Sequence, residues 1–210
     1  MKSRNYGRCN SASLRKCRKP VQRRSSTAGA TPCSACAPRA TPPFVAEPVL
    51  PDLLRPGLRL VFCGTAASRA SAAARAYYAH PGNAFWRALA QTGLTPRRFA
   101  PREYPQLLDY GIGLTDLGKH AAGTDAELPA DAFDTEGLRA RILHHAPAWL
   151  AFTSKHGAQS FRGQAVGYGI QPWRIGASRV FVLPSPSGQA RRSWDLSLWQ
   201  TLADLIKECS

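Results

Sequence analysis

One carboxylate, Asp116, lies among four segments whose small and polar residues are typical of a binding site: "GTAAS", "YYAHPGNAFW", "GIGLTDLGK" and "PSPSGQARR". A carboxylate in a cleft can hold a water molecule for attack, or stabilise positive charge that develops during a reaction. The segment "GTAAS" follows the apolar run "RLVFC" but offers only the hydroxyl groups of Thr65 and Ser68. The reactive group therefore has to come from another segment, and Asp116 is the acid that these segments contain.

The elements that must position these segments follow an alternating pattern. Short apolar runs predict buried parallel strands in "LRLVFC", "AWLAFT" and "RVFVLP", and a further strand is predicted at residues 107–110. Helices are predicted in "NAFWRALAQTG", "DTEGLRARILHHA" and "SWDLSLWQTLADLIKE", the last with an apolar stripe through Trp194, Leu198, Leu202 and Leu205. The order predicts one α/β domain with a mainly parallel sheet covered by helices on both faces. We expect "GTAAS", "GIGLTDLGK" and "PSPSGQARR" to be loops that meet at one edge of this sheet.

The positive charge of the chain is concentrated near its N-terminus. The formal net charge is +15 over 210 residues, and residues 1–50 carry ten Lys and Arg against the single acid Glu47. Such a surplus favours a polyanionic partner such as nucleic acid. Residues 1–50 are also rich in Ser, Thr, Pro and Gly, so they can bury too little apolar surface to fold. We expect a disordered basic arm at residues 1–50 that strengthens salt-sensitive DNA binding, and one domain at residues 51–210.

The remaining composition bears on cofactors and location. Cys33 and Cys36 form a CxxC pair, but Cys9 and Cys17 are eight positions apart and all five His lie beyond residue 79. A structural zinc site usually has two close Cys pairs, or one Cys pair and one His pair. We expect no metal and no other cofactor, and Cys63 should be a buried small hydrophobe. No run of about eighteen apolar residues predicts a membrane span. The N-terminus resembles a transit peptide in composition but lacks a clear amphipathic helix. These features predict a monomer in the cytoplasm, associated with the nucleoid.

Four segments in a fixed order resemble the mismatch-specific uracil and thymine DNA glycosylases, a branch of the uracil-DNA glycosylase superfamily. They are "PGLRLVFCG", "AHPGNAFW", "LLDYGIGLTDL" and "VLPSPSG", and the resemblance extends from about Pro56 to Ile206. It implies a three-layer α/β/α sandwich that removes damaged or mismatched bases from double-stranded DNA without a metal. The aromatic and small residues of "YYAHPGNAFW" support the same interpretation, since a pocket that stacks a planar base needs such residues.

The first motif of that family, Gly-Ile-Asn-Pro-Gly, carries an Asn whose amide orients the attacking water. This sequence has Ala66 in the place of the Asn, so either the activity is lost or another segment carries it. Breaking an N-glycosidic bond develops positive charge on the sugar, which a carboxylate can stabilise. We predict Asp116 as the catalytic carboxylate, ionised at neutral pH unless burial raises its pKa strongly. The alternative is that Asp116 caps a turn through a backbone N–H.

The resemblance also implies which residues bind the substrate base. Tyr78 matches the aromatic residue that stacks on the extruded base, and His80 matches a position that we interpret as holding the loop geometry. Phe85 and Trp86 are expected to be helix core. Ser68 replaces a glycine of the first motif and could bond a base edge or narrow the pocket. The predicted substrate-binding residues are Gly64, Thr65, Ala66, Ser68, Tyr78, His80 and Asn83.

The segment "PSPSGQARR" matches the family motif Asn-Pro-Ser-Gly-Leu, whose tip enters the duplex once the base has left the stack. Gln189 takes the wedge position and Ser185 replaces the Asn. Gln can form hydrogen bonds with the guanine that has lost its partner, but it lacks the apolar stacking that the Leu of the family motif offers. Arg191 and Arg192 follow directly, and guanidinium groups suit phosphates. The predicted DNA-binding residues are Ser185, Ser187, Gly188, Gln189, Arg191 and Arg192.

The predicted function is that of a monofunctional DNA N-glycosylase of base excision repair. Uracil opposite guanine is the expected target, and hypoxanthine or xanthine stay open because Ala66 and Ala67 leave room in the pocket. The alternative is a catalytically decayed, non-enzymatic DNA-binding protein of the same fold. The loss of the family's Asn at Ala66 supports this alternative, whereas the presence of the Asp116 carboxylate supports the enzyme. A small-molecule α/β hydrolase is excluded, because the sequence has no Gly-x-Ser-x-Gly motif.

Overall fold

The computed structural model describes residues 47–208, in which strands and helices alternate along the chain. The strands are β1 Leu60–Ala67, β2 Ile112–Ala122, β3 Trp149–Phe152, β4 Gly169–Ile175 and β5 Ser178–Val182. The α-helices are α1 Arg69–Ala74, α2 Phe85–Gln91, α3 Thr135–His145, α4 Lys155–Arg162 and α5 Leu196–Glu208. Short 3-10 helices cover Pro101–Tyr110, Ala130–Ala132 and Gly188–Ser193. In this range no helix is both long enough and apolar enough to cross a bilayer.

The five strands form one sheet in the order β2-β1-β3-β5-β4. The β1–β2, β1–β3 and β3–β5 pairs are parallel, and β4 pairs with β5 in the antiparallel direction. The sheet is therefore mainly parallel, as the apolar runs predict. Strand β4 was not predicted, because its sequence "GIQPWRI" alternates weakly and contains Pro172, which is tolerated at a sheet edge.

Two hydrophobic cores lie on opposite faces of the sheet, which confirms the α/β/α arrangement. One face of β1 packs through Leu60 and Phe62 against α2 and α5, and the other packs through Val61 and Cys63 against α3 and α4. Cys63 is a free, buried thiol, as expected. The apolar stripe of α5 is shifted from its predicted place, since the buried residues are Trp199, Leu202, Ala203 and Ile206.

Two segments predicted as loops belong to the sheet instead. Residues 64–67 of "GTAAS" continue β1, and nearly all of "GIGLTDLGK" forms β2. The predicted strand at residues 107–110 is the end of a 3-10 helix, which stops at Gly111 in the left-handed conformation with φ +67°. The glycines of β2 resemble loop residues in sequence, but a Cβ on Gly113 would lie 2.6 Å from the carbonyl oxygen of Leu53. These glycines mark close approaches of the backbone.

The outer edge of β2 is covered by the residues that precede β1. Leu53 bridges Leu114, and the N–H of Val49 donates to the carbonyl of Lys119 over 2.8 Å. Leu50 is buried in the core next to α2 and α5. The ordered domain therefore includes Val49 and Leu50, which the sequence interpretation assigns to the arm. The rest of the predicted arm, with Cys9, Cys17, Cys33 and Cys36, lies outside the described residues except for residues 47 and 48.

We expect Trp199→Ala to lower the free energy of unfolding by about 3–5 kcal/mol. The Trp199 ring is fully buried, stacks on Phe62 at 5.5 Å between centroids, and donates its indole N–H to the carbonyl of Pro184 over 3.3 Å. Urea denaturation measures the change. Leu143→Ala is the matched control, because the Leu143 side chain is exposed and its loss should change stability by less than about 0.5 kcal/mol. Equal effects of the two substitutions would contradict this packing.

Candidate active site

A cavity of about 780 Å³ opens at the carboxyl ends of β1 and β3, where parallel sheets commonly bind ligands. Its lining draws together residues that are far apart in sequence, from the ends of the strands, the segment before α2 and the segment after β5. The predicted residues in this lining are Gly64, Thr65, Ala66, Ser68, Tyr78, His80, Asn83, Asp116, Ser185, Ser187, Gly188, Gln189 and Arg191. Arg192 does not line the cavity and is exposed on the neighbouring 3-10 helix.

The Asp116 carboxylate lies over the backbone of Gly64, with which Asp116 is paired across the β1–β2 ladder. A Cβ on Gly64 would collide with Asp116 Oδ1 and would lie 3.5 Å from Tyr78 Oη. Only glycine at position 64 leaves room for the Asp116 carboxylate. The same space borders the Tyr78 hydroxyl. Asp116 comes from a strand and not from a loop, which corrects the sequence prediction of its surroundings.

Asp116 is buried, with only 4% of its surface exposed, and this burial sets its acidity. Burial raises the pKa of Asp116 to about 7, an effect that the positive charge of Lys119 opposes and the negative charge of Asp52 reinforces. Ionisation of Asp116 therefore takes place near neutral pH, whereas the sequence interpretation expects an ionised carboxylate unless burial raises the pKa strongly. In the described part of the chain the carboxylate accepts no hydrogen bond from a backbone N–H, so the capping alternative is wrong.

A group of ionic side chains lies beside Asp116 and was missed in the sequence. Asp52 accepts from the Lys119 ammonium over 2.7 Å and from the Thr115 hydroxyl over 2.6 Å. Arg141 lies 3.4 Å from the same carboxylate and donates to the backbone carbonyl of Asp116 over 3.1 Å. The Lys119 side chain is only 6% exposed. Arg141 also pairs with Asp134 over 3.5 Å. The positive charges of Lys119 and Arg141 oppose the effect of burial on Asp116, so its carboxyl group stays ionisable.

Tyr78 adopts a conformation that is unusual for a bulky residue. Its φ is +51°, in the left-handed region, and such strain is retained mainly where the surrounding structure requires it. The ring stacks on Phe85 with centroids 3.8 Å apart, and its hydroxyl lies 3.3 Å from Thr153 Oγ1. Phe85 and Trp86 are buried in the core, as expected. The strained backbone thus places the Tyr78 ring against the cavity with Phe85 behind it.

Two loops meet at the mouth of the cavity through a pair of glycines. A Cβ on Gly188 would lie 3.1 Å from the carbonyl oxygen of Gly82, so the backbones touch. The N–H of Ala84 donates to the carbonyl of Pro186 over 2.8 Å and ties the loops together. His80 Nδ1 accepts from the N–H of Gly82 over 3.0 Å, which is a contact that holds the loop. A side chain at Gly188 would therefore press on the backbone of the other loop, whereas one at Gly82 would first meet the His80 ring at 3.3 Å.

Hydroxyl groups form much of the remaining polar lining. Thr65 Oγ1 and Ser154 Oγ lie 3.0 Å apart, and Ser154 caps the start of α4 by accepting from the N–H of Gly157. Ser68 caps α1 by accepting from the N–H of Ser71 over 3.1 Å. Thr153 and Ser154 were not predicted as site residues. Their signal was their position directly after the strand "WLAF", whose carboxyl end faces the site.

Two further acids line the cavity and were also missed in the sequence. Asp125 and Glu127 belong to the segment after β2, and both are exposed. Glu127 accepts from the N–H of Thr124 over 2.8 Å and pairs with Arg69 over 2.9 Å, and these contacts, those with Thr124 above all, lower its pKa. Asp116 is thus the buried acid of the cavity. Across residues 47–208, no group of three His, Cys, Asp or Glu side chains is placed to hold a metal ion.

We expect the pKa of Asp116 to be near 7 and to move in opposite directions when its two charged neighbours are removed. Lys119→Met removes a positive charge and should raise the pKa, whereas Asp52→Asn removes a negative charge and should lower it. Carboxyl ¹³C NMR of Asp-labelled protein measures the titration, and Asp116→Asn assigns the signal. An unchanged midpoint in both variants would contradict this electrostatic arrangement.

Comparisons with known proteins bear on the fold and on the family of this chain. One solved structure that matches is the solution NMR structure of a candidate uracil DNA glycosylase from Methanosarcina acetivorans. It is 22% identical, covers 75% of this chain and 96% of its own, and has a TM-score of 0.55, so this likeness bears on the fold. The family model described as "Uracil DNA glycosylase superfamily" matches residues 51–205, which is most of the chain. The chain therefore belongs to the uracil DNA glycosylase superfamily.

Proposed function

We propose that this chain is a monofunctional DNA glycosylase that hydrolyses the glycosidic bond of a deaminated or mismatched base, with Asp116 as its catalytic carboxylate. The observation that carries the proposal is the position of the Asp116 carboxylate over Gly64, at the base of a 780 Å³ cavity. The order of the segments further suggests the mismatch-specific branch of the superfamily. Ala66 on β1 lines the same cavity and leaves the place of the family's amide empty.

The chemical step follows from what a carboxylate in this position can do. The oxygen of a water molecule forms a bond to C1′ of the extruded nucleotide, and the C1′–N bond breaks with its electron pair passing to the base. The ionised Asp116 accepts the proton from the water and stabilises the positive charge on the sugar. Since the pKa of Asp116 is raised to about 7, the group is well matched to accept a proton at neutral pH.

Binding of the base is assigned to the ring of Tyr78 and to the polar groups around it. The Tyr78 ring is held against the cavity by Phe85 and can stack on an extruded base. The hydroxyls of Thr65, Thr153 and Ser154 can bond to base edges, as can His80 and Asn83 at the mouth. Uracil opposite guanine is the proposed first target. The small side chain of Ala66 leaves room for hypoxanthine or xanthine.

Contact with the duplex is assigned to the loop after β5. Gln189 is exposed at the tip of this loop, where it can fill the space of the extruded nucleotide. Ser185 and Ser187 are engaged in shaping the loop, since each accepts a backbone N–H two residues further on. Arg191 and Arg192 extend the loop toward the phosphates. We infer that the protein acts on DNA as a monomer in the cytoplasm, where the nucleoid lies.

The alternative function, a decayed DNA-binding protein, is less well supported by the site. Burying a carboxylate and two nearby cations costs free energy that DNA binding alone does not require. The strain at Tyr78 is likewise of no use to a protein that only grips the backbone. Duplexes that carry uracil, thymine, hypoxanthine or xanthine opposite guanine or thymine distinguish the two functions. A decayed protein would bind all of them and cleave none.

We expect Asp116→Asn to lower the single-turnover rate of base excision by about 10²–10⁴-fold, which is typical of a positioned acid–base group. The amide keeps the size of the side chain but cannot accept a proton from water. Glu127→Gln is the matched control, because it removes a carboxylate of the same cavity that is exposed and already engaged. Parent-like excision by a normally folded Asp116→Asn variant would show that another group activates the water.

Truncation of Tyr78 to Ala should weaken recognition of the extruded base by about 1–3 kcal/mol, because stacking on the ring is lost. Tyr78→Phe keeps the ring and loses only the hydroxyl contact with Thr153, so its excision rate should stay within several-fold of the parent. Excision rates at saturating and subsaturating DNA measure both effects. If Tyr78→Ala is as active as Tyr78→Phe under both conditions, the base stacks elsewhere.

A further inference from the structure

A second cavity, of about 390 Å³, adjoins the active-site cavity and is lined by three arginines from separate parts of the chain. Arg87 lies on α2, Arg98 lies in the segment after it, and Arg191 lies on the 3-10 helix that follows β5. Of these, only Arg191 was singled out in the sequence. The fold therefore gathers three positive charges around one concave surface.

These three arginines are not neutralised by acidic side chains. No Asp or Glu lines the second cavity. Within the part of the chain that the structure describes, the guanidinium groups of Arg87, Arg98 and Arg191 take part in no ion pair or side-chain hydrogen bond. The neighbouring Arg97 differs, since it forms a two-bond pair with Glu103 at 2.7 and 3.0 Å. Three unpaired guanidiniums in one concavity are suited to an anion with several acceptor oxygens.

The position of the second cavity indicates which anion reaches it. The two cavities adjoin where the glycine loops touch, and Arg191 lines both of them. The other shared residues are Gly82, Asn83, Pro186, Ser187 and Gly188. A DNA strand whose nucleotide enters the first cavity continues past this contact, and its backbone then passes the second. A flanking phosphodiester would thus lie against the arginines.

We propose that Arg87, Arg98 and Arg191 form a binding site for a backbone phosphate of the strand that carries the extruded nucleotide. This assignment rests on the proposed function and adds Arg87 and Arg98 to the DNA contacts. Such contacts hold the register of the protein on the duplex and carry no sequence information. They also give the loop after β5 a fixed point from which Gln189 can enter the duplex.

The test measures the affinity of the full chain for a duplex with a single uracil, over a range of salt concentrations. Each phosphate contact contributes about 0.9 to the slope of log affinity against log salt. We expect Arg87→Gln and Arg98→Gln each to reduce the magnitude of the slope by about that amount, and to weaken binding equally for damaged and undamaged duplexes.

Arg97→Gln is the matched control, because it removes the same charge from the adjacent position while its guanidinium is already paired with Glu103. A slope in Arg87→Gln and Arg98→Gln equal to that of Arg97→Gln would overturn the phosphate site. The site would also be overturned if Arg87→Gln and Arg98→Gln bind a free deoxynucleotide less well than the parent but keep the parent's salt slope for the duplex. The cavity would then hold a small molecule and not the DNA backbone. If the slopes fall as expected but the parent cleaves no damaged duplex, the phosphate site stands and the glycosylase proposal fails.

Discussion

Burial of the Asp116 carboxylate over the backbone of Gly64 is the constraint on which the site depends. An ionised carboxylate removed from water is stable only if space and counter-charges are provided. Gly64 provides the space, because any side chain there would meet Asp116 Oδ1. Lys119 and Arg141 provide positive charge that acts on Asp116, and Asp52 pairs with both of them. The edge segment around residues 49–54 is thus part of the site: Leu50 lines the cavity, and Asp52 holds the cations beside Asp116.

The core of the domain connects this carboxylate to the surface proposed to meet DNA. Trp199 packs on Phe62 of β1 and bonds to the carbonyl of Pro184, at the start of the loop that carries Gln189. The loop then touches the segment before α2 through Gly82 and Gly188. Hence Gln189, the Tyr78 ring and the Asp116 carboxylate are held by one packed unit, and a site held in this way needs little rearrangement before reaction.

Much of the fold could be predicted from the sequence because its strong signals are local. The strands β1, β3 and β5 are continuous apolar runs, and α2, α3 and α5 were also found. Strand β2 was missed because Gly113 and Gly118 resemble turn residues, and only the tertiary structure shows the close approaches that require them. The same limit applies to the site. Asp116 could be selected as an isolated acid, but its burial, its raised pKa and its contacts with residues near Asp52 depend on pairing that no local pattern records.

The most direct test of the role of Asp116 is a structure of the chain bound to a duplex with 2′-fluoro-deoxyuridine opposite guanine, whose glycosidic bond resists hydrolysis. We expect the uracil to occupy the 780 Å³ cavity against Tyr78. A water molecule should lie between C1′ and Asp116, with its oxygen within about 2.6–3.2 Å of a carboxylate oxygen. A water held by Ser68 or Ser185, with the Asp116 carboxylate out of reach of C1′, would contradict the proposed mechanism.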